Sequence, residues 1–174
     1  NFRAGAKSRS RRGGGPVSYG VAEFIAQEEM SRNTGNWWSP DERYIAFTRV
    51  DESAVAEIER FEVYADSLKV VKQRYPATGA RNADVQLYVT RIGKGPAVRV
   101  DLGGHADIYL ARVQWLPDSR AIAVQRQSRD QKTLTLLKAD AASGATRKLL
   151  EEHSDTWVDV CDELTFVSDR GDFL

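Results

Sequence analysis

The chain contains few cysteines, few histidines and no long apolar run. Its 174 residues include one cysteine, Cys161, and two histidines, His105 and His153. A single cysteine excludes a disulfide within the chain, and we interpret Cys161 as a small buried residue rather than a reactive thiol. No apolar run approaches the ~18 residues that a transmembrane helix needs. The sequence therefore predicts no membrane span within these residues.

Motifs for several catalytic chemistries are absent as well. No Gly-x-Ser-x-Gly pentapeptide is present, which leaves a serine hydrolase without its nucleophile turn. There is no Cys-x-x-Cys or His-x-x-x-His pair for a metal, and no glycine-rich phosphate loop follows a strand. We interpret both histidines as surface loop residues. The sequence predicts no catalytic residue, no metal site and no cofactor in this chain.

The charge is distributed unevenly along the chain. Its composition, 41% hydrophobic and 29% charged, is typical of a globular protein. Residues 1–20 contain five basic residues and no acidic one, so residues 21–174 contain 20 basic and 25 acidic residues. We interpret the Gly, Ser and Arg-rich residues 1–19 as a disordered or non-native tail. Such a tail could bind nucleic acid, but the acidic remainder argues against a nucleic-acid partner.

A repeated unit predicts β-structure. Each copy is a tryptophan, a Pro-Asp turn and a β-rich strand, because proline presets the turn and aspartate accepts hydrogen bonds from it. Two copies lie 77 residues apart, and a third is weaker. The copies are Trp38–Asp41 with Tyr44–Arg49, Trp115–Asp118 with Ala121–Arg126, and Trp157–Asp159 with Leu164–Val167. We expect the tryptophans of all three copies, together with Trp37, to pack in the core.

The strands after each repeat predict the fold class. Lys132–Ala139 and Thr146–Leu150 complete four short strands in about 45 residues, the pattern of one β-propeller blade. Phe61–Tyr64, Gln86–Thr90 and Val98–Val100 are predicted to complete the first blade, with a long insertion at residues 52–84. The prediction is an all-β fold: a partial β-propeller of about two to three four-stranded antiparallel blades. Too few blades are present to close a ring, so we expect this to be a piece of a longer protein.

One short helix is predicted before the first repeat. Residues 21, 24, 25 and 30 are apolar, which predicts an amphipathic helix over Val21–Arg32 that carries Glu28 and Glu29. Two adjacent carboxylates repel each other, so a site that keeps both ionised favours a cation. The alternative is that the pair belongs to a solvated helix face.

Several segments together resemble one known family. They are Ala22–Met30 followed by Trp37–Pro40, Arg74–Gly79 with Asn82 and Val85, Asp107–Val113, and Gln125–Lys132. Residues 20–174 resemble the N-terminal β-propeller domain of the dipeptidyl peptidase IV family of the prolyl oligopeptidase class, in particular its bacterial members. In that family two glutamates before Trp-Trp-Ser-Pro bind the free N-terminal amine of the peptide substrate. The resemblance places Glu28 and Glu29 on those two positions, with Gln27 replacing a third glutamate.

The resemblance implies a function for the whole protein. It would be a serine exopeptidase that releases Xaa-Pro or Xaa-Ala dipeptides, with this chain as its substrate-recognition part. The partners implied are a peptide with a free N-terminus, a C-terminal α/β-hydrolase domain of the parent chain, and a second copy in a homodimer. The location implied is the periplasm or cell surface, and the isolated chain is expected to be inactive. The alternative is a non-catalytic β-propeller that binds proteins.

Overall fold

The described part of the chain is almost entirely antiparallel β-structure. The computed structural model describes residues 15–104, 107–162 and 164–167. Its single helix within these ranges is α1, and every strand pair in them is antiparallel. In chain order the elements are β1 (Val17–Tyr19), α1 (Phe24–Glu29), β2 (Asn36–Trp38), β3 (Tyr44–Asp51), β4 (Glu57–Val63), β5 (Leu68–Arg74), β6 (Asp84–Arg91), β7 (Lys94–Arg99), β8 (Ile108–Trp115), β9 (Ala121–Ser128), β10 (Thr133–Asp140) and β11 (Thr146–His153).

The first blade has a first strand that is interrupted by the helix. Its sheet runs β3-β6-β7, and both β1 and β2 pair with the other side of β3. Val17 of β1 pairs with Asp51 at one end of β3, and Trp38 of β2 pairs with Ile45 near the other. The chain therefore leaves the sheet after β1, forms α1, and returns as β2 to the same side of β3. Both ends of the helical segment are thus fixed on the same sheet.

The second blade is an uninterrupted four-stranded meander. Its strands follow the order β11-β10-β9-β8, so each strand pairs with its neighbour in sequence. Buried and half-buried residues alternate in β3 and β6, whereas β9 and β10 are buried along most of their length. This difference indicates that the central strands of the second blade are covered on both faces.

The two blades pack face to face through aliphatic side chains. Leu87 and Val89 of β6 share one core with Leu110 of β8 and Ile122 of β9, and all four are almost completely buried. Burial of apolar surface of this kind is the dominant stabilising contribution in a small β-domain. The prediction of a partial β-propeller of about two to three four-stranded antiparallel blades is confirmed, with two blades formed by the described residues.

The two strong repeats contact each other at equivalent positions. The Trp115 indole N–H donates to Trp37 O at 2.9 Å, and Asp41 N–H donates to Ser119 Oγ at 3.1 Å. Both pairs are 78 residues apart in sequence. The repeated turns thus lie side by side at one end of adjacent blades, as expected for successive propeller blades.

A separate hairpin corrects the predicted composition of the first blade. Phe61–Tyr64 was predicted to complete that blade, but Phe61 lies in β4, which pairs with β5 in a two-stranded sheet of its own. This hairpin falls inside the predicted insertion at residues 52–84. It leaves Phe61 62% and Val63 76% exposed. The alternation of its residues predicted a strand correctly, but alternation does not specify which strand is its partner.

The boundary of the tail differs from the prediction. Residues 1–19 were predicted to be disordered or non-native, but Val17–Tyr19 form β1 and pair with β3. Residues 1–14 lie outside the described residues. Two residues with high β-propensity, Val17 and Tyr19, flank Ser18 in this short strand, which forms beside the free edge of β3 although it follows a glycine-rich segment.

Three residues predicted to be buried are exposed. Trp38 is 51% and Trp157 is 62% exposed, and Cys161 is exposed too. Instead of Trp157 the neighbouring Val158 is buried, where its carbonyl accepts a 2.6 Å hydrogen bond from Gln127 Nε2. Residues 154–162 and 164–167 contain no strand. The weak third repeat therefore does not form its predicted strand, Leu164–Val167, within the described residues. Its Asp169–Gly171 segment lies outside them.

Candidate glutamate-pair site

The helix places the predicted glutamate pair at its C-terminal end. Glu28 and Glu29 are its last two residues, and both are exposed. Neither carboxylate forms a hydrogen bond or ion pair with another described residue. The helix covers both glutamates, as predicted, although it begins at Phe24 and not at Val21.

Apolar side chains attach the helix to the second blade. Ala26 is fully buried, and Met30 packs with Tyr109 and Ala111 of β8 and with Ile25. These contacts leave the opposite side, with Gln27, Glu28 and Glu29, facing away from the core. A six-residue helix is too short to be stable alone, so these tertiary contacts must hold it.

Left-handed backbone ends the helix just after the pair. Ser31 has φ 53°, which stops the helical path after Met30. Arg32 N–H reaches back to Ala26 O at 2.8 Å and satisfies a carbonyl that the shortened helix leaves free. Residues 31–35 thus form the exit from the helix, although the helix was predicted to continue to Arg32.

Thr48 of β3 fastens both ends of the helical segment. Its hydroxyl donates to Val21 O at 2.6 Å, and its N–H donates to Gly35 O at 2.8 Å. Gly20 N–H in turn donates to Thr48 O at 2.8 Å. Thr48 is completely buried, so these bonds are shielded from water.

A buried ion pair brackets the helix. Glu23 stands immediately before Phe24 and does not cap the helix; its Oε2 lies 2.6 Å from Arg32 Nη2. The two side chains are 6% and 3% exposed. Sequence reasoning did not identify this pair. One signal was available: Arg32 is the single basic residue between Gly20 and Glu42.

Glu52 is a further carboxylate near Glu23, the residue before the helix. Burial raises the pKa of the Glu52 carboxyl, the nearby Arg74 guanidinium opposes this effect, and the negative charge of Glu23 adds to it. Arg74 also donates to Val55 O at 2.8 Å and so ties the base of the hairpin to this region. Glu23 and Glu52 thus add carboxylates to the surroundings of α1, and Arg32 and Arg74 are already engaged by partners of their own.

Other charged residues form contacts within the blades. Arg129 pairs with Asp107 at 3.2 Å, Arg112 pairs with Asp162, and Arg126 donates to Leu102 O. His153 is an exposed residue of β11 near Thr133, and His105 lies outside the described residues. Across the described ranges, no group of three or more His, Cys, Asp or Glu residues could hold a metal ion. Over the same ranges no helix is long and apolar enough to cross a membrane.

Two exposed carboxylates on a fixed helix end can accept hydrogen bonds from one cation. An ammonium offers three N–H donors, and charge-assisted bonds of this kind are about twice as strong as neutral ones. Lysine, a free peptide N-terminus or another amine would meet this requirement. The negative charge of this exposed pair thus favours a cation over an anion.

Comparison with known protein families supports one assignment. The family model for the dipeptidyl peptidase IV N-terminal region matches residues 3–174. The chain is 30% identical to the protein named "Inactive dipeptidyl peptidase 10" of Rattus norvegicus, over 83% of this chain and 19% of that protein. It is 28% identical to "Probable dipeptidyl-aminopeptidase B" of Phaeosphaeria nodorum, over 89% of this chain and 19% of that protein.

Solved structures agree with the family model. Porphyromonas gingivalis dipeptidyl peptidase 4 superposes with a TM-score of 0.82 at 26% identity, and the match covers 91% of this chain and 23% of that one. The chain thus spans about a fifth of the length of these relatives. The chain belongs to the dipeptidyl peptidase IV family and corresponds to part of its N-terminal region.

Proposed function

We propose that this chain is the substrate-recognition part of a serine exopeptidase and that Glu28 and Glu29 bind the N-terminal amine of a peptide. The observation that carries the proposal is the state of these two carboxylates. They are adjacent, exposed and unpaired among the described residues, on a helix that is held at both ends. An amine ligand would relieve their mutual repulsion and supply the missing hydrogen-bond donors.

The proposed anchor explains how a peptidase could release dipeptides. Two extended residues span ~7 Å, so a fixed amine brings only the second peptide bond to a nucleophile at that distance. We assign the nucleophile to an α/β-hydrolase domain of the parent chain, where Gly-x-Ser-x-Gly would present it. The substrate class proposed from the resemblance is Xaa-Pro or Xaa-Ala at the N-terminus.

The experiment uses the full-length parent enzyme and an Ala-Pro chromogenic amide. Glu28→Gln and Glu29→Gln keep the side-chain shape and remove one charge opposite the amine. Loss of one partner of a desolvated charge pair costs about 2–5 kcal/mol, or roughly 30-fold to several thousand-fold in kcat/KM. Glu59→Gln, which neutralises an exposed glutamate of the hairpin, is the matched control and should leave kcat/KM unchanged.

An N-acetylated substrate separates amine binding from general damage. It has no charged amine, so its residual turnover should not change with Glu28→Gln. Equal kcat/KM of the wild type and both glutamine variants on free-amine substrates would remove the amine-binding role. The isolated chain should not hydrolyse either substrate, and turnover that co-purifies with it would reveal a nucleophile in this chain.

A second candidate is a non-catalytic propeller that binds proteins. The name of the rat relative includes the word "inactive", so the family contains at least one member to which no peptidase activity is attributed. A parent chain without Gly-x-Ser-x-Gly after this region would favour that function. In that case the glutamate pair would contact a basic or N-terminal group of a protein partner.

The remaining parts of the proposal concern the parent protein. We propose a homodimer located in the periplasm or at the cell surface of a bacterium, with no nucleic-acid partner. The exposed apolar residues of the hairpin, among them Phe61 and Val63, support a protein contact outside the blades. Light scattering of the full-length protein would give the oligomeric state, and cell fractionation would give the location.

A further inference from the structure

The ion pair that brackets α1 differs from every other ion pair between described residues. Glu23 and Arg32 are 6% and 3% exposed, whereas both partners in each of the others are at least 24% exposed. The two charges are also placed asymmetrically. Glu23 precedes the first helical residue, and Arg32 follows the last one by three positions. The ion pair therefore links the start of the helical segment to its end.

The Arg32 guanidinium connects four parts of the molecule. Besides Glu23, it donates to Leu110 O in β8 at 3.0 Å and to Thr34 O in the exit from the helix at 2.8 Å. Its central carbon lies 5.9 Å from the centre of the Trp37 ring in β2, within cation–π range. One side chain thus joins the start of the helix, its exit, the first blade and the second blade.

We propose that Glu23 and Arg32 are positioning residues that hold the Glu28 and Glu29 carboxylates in a fixed place at the junction of the two blades. This inference rests on the proposed amine-binding function. Neither residue would touch the substrate. Their effect would pass through the backbone of α1, because Arg32 fixes the exit of the helix against Leu110 of the second blade.

The charge balance of the pair supports this role. Arg32 is the single basic residue between Gly20 and Glu42, so it is the local cation that could otherwise neutralise the glutamate pair. Its hydrogen bond to Glu23 keeps the positive charge of Arg32 in the interior of the protein. The negative charge of Glu28 and Glu29 then stays available for an amine, and the carboxylates keep their unpaired state.

Stability alone is a weak reason for such a pair. Replacing a buried ion pair by apolar residues of similar volume is often neutral or stabilising, whereas removing one partner leaves an uncompensated charge. A double variant can therefore keep the fold and lose the geometry. Misplacement of a binding group by about 1 Å can lower a rate by about 100-fold.

The test uses the full-length parent enzyme with three variants. Glu23→Leu with Arg32→Met removes both charges together. Arg32→Lys keeps the charge but cannot reach Glu23, Leu110 O and Thr34 O at once, because an ammonium lacks the planar fork of a guanidinium. The control is Arg60→Lys, because the Arg60 guanidinium also bonds to two partners, Gln73 and Glu62, but lies in the separate hairpin.

Two measurements give the expected result. In the double variant and in Arg32→Lys, amide hydrogen exchange should be faster over residues 24–34 and unchanged in β8 to β10. The kcat/KM for a free-amine Ala-Pro amide should fall by about 100-fold, with the thermal midpoint of the double variant close to that of the wild type. Arg60→Lys should change neither measurement.

A double-mutant cycle distinguishes positioning from general support. If Arg32 acts through the glutamate pair, Arg32→Lys should have little further effect once Glu28 and Glu29 are both glutamine. Full additivity, or unchanged exchange over residues 24–34, would overturn the inference. If Glu28→Gln and Glu29→Gln alone leave kcat/KM unchanged, the amine-binding function itself has failed. A large effect of those two variants with none of Arg32→Lys would overturn only the positioning role.

Discussion

At the scale of single residues, the side chain before proline distinguishes the two strong copies of the repeated turn. Asp41 Oδ1 accepts from Ser39 Oγ at 2.7 Å and from Arg43 N–H at 3.1 Å, and the Arg43 guanidinium contacts its other oxygen. The Ser39 hydroxyl, with smaller contributions from Arg43, lowers the pKa of Asp41 to about 2. In the second repeat Leu116 takes the place of Ser39, so Asp118 accepts only from Arg120 N–H among the described residues.

This difference predicts how stability depends on pH. A carboxyl whose pKa is lower in the folded state contributes stability above its unfolded pKa and loses it as the pH falls through the folded value. The contribution of Asp41 should therefore be complete above pH 3.8 and should disappear near pH 2. Asp41→Asn should lower the thermal midpoint at pH 7, and the gap from the wild type should narrow between those two values. Asp118→Asn, which keeps an acceptor oxygen for the one hydrogen bond from Arg120 N–H and removes only the charge, should cost less at pH 7.

The buried ion pair marks the limit of sequence reasoning at this scale. Glu28 and Glu29 could be identified because they are adjacent and lie near a recognisable tryptophan motif. Arg32 could not be assigned a role, because its decisive partner Leu110 is 78 residues away. Trp157 and Cys161 were predicted to be buried from residue type alone, but residue type does not determine which of two neighbours, here Trp157 or Val158, turns inward.

At the scale of elements, the strands were more predictable than their partners. Alternation and the Pro-Asp turns identified Tyr44–Arg49 and Ala121–Arg126, and the structure extends each strand by two residues. The same signals could not show that β4 pairs only with β5, because pairing depends on which strand edges are free. The helix was predicted too long. Its termini are set by the Glu23 backbone and the left-handed Ser31, which periodicity does not detect.

Gly35 is the position where the helical segment tolerates least change. A Cβ there would overlap Val21 O and Thr48 Oγ1, the groups that fasten both ends of the segment to β3. Gly35→Ala should destabilise the chain by about 1–3 kcal/mol, measured by urea unfolding. Gly104→Ala is the control, because no described atom lies within 4 Å of its added Cβ. Equal unfolding midpoints for the two variants would show that the helical segment shifts to accommodate the added Cβ without losing free energy of unfolding.

The hairpin should be dispensable for the fold. β4 and β5 pair with each other alone, and Tyr75 N–H donates to Ala56 O at 2.9 Å, which closes the base of the hairpin. Replacing residues 58–73 by a short Gly-Ser turn keeps Glu57 and Arg74. The hydrogen bonds from Arg74 to the loop before β4 are kept as well. The thermal midpoint should change by no more than a few degrees, because the shared core of the blades is untouched. Loss of cooperative unfolding would show that the hairpin supports the blades.

At the scale of the whole molecule, the first blade has one covered face and one open face. Ala46 and Val89 point toward the second blade, so their neighbours Phe47 and Tyr88 point the other way. On that side Phe47 stacks on Tyr88 with ring centres 5.8 Å apart, and Tyr19, 58% exposed, adds a third ring at 6.5 Å from Phe47. In a propeller the preceding blade covers this kind of face.

The open aromatic face predicts how the isolated chain behaves. An exposed apolar surface of this kind promotes association. The outer strand β11 of the second blade is a sheet edge and adds a second surface that can associate. Light scattering should show oligomers whose size grows with concentration, together with binding of a hydrophobic dye. Replacing Phe47 and Tyr88 by threonine should reduce both signals while far-ultraviolet circular dichroism stays β-rich, because the shared core lies on the other side of the sheet. A monodisperse wild-type monomer that binds no dye would mean that the aromatic face is covered without a preceding blade.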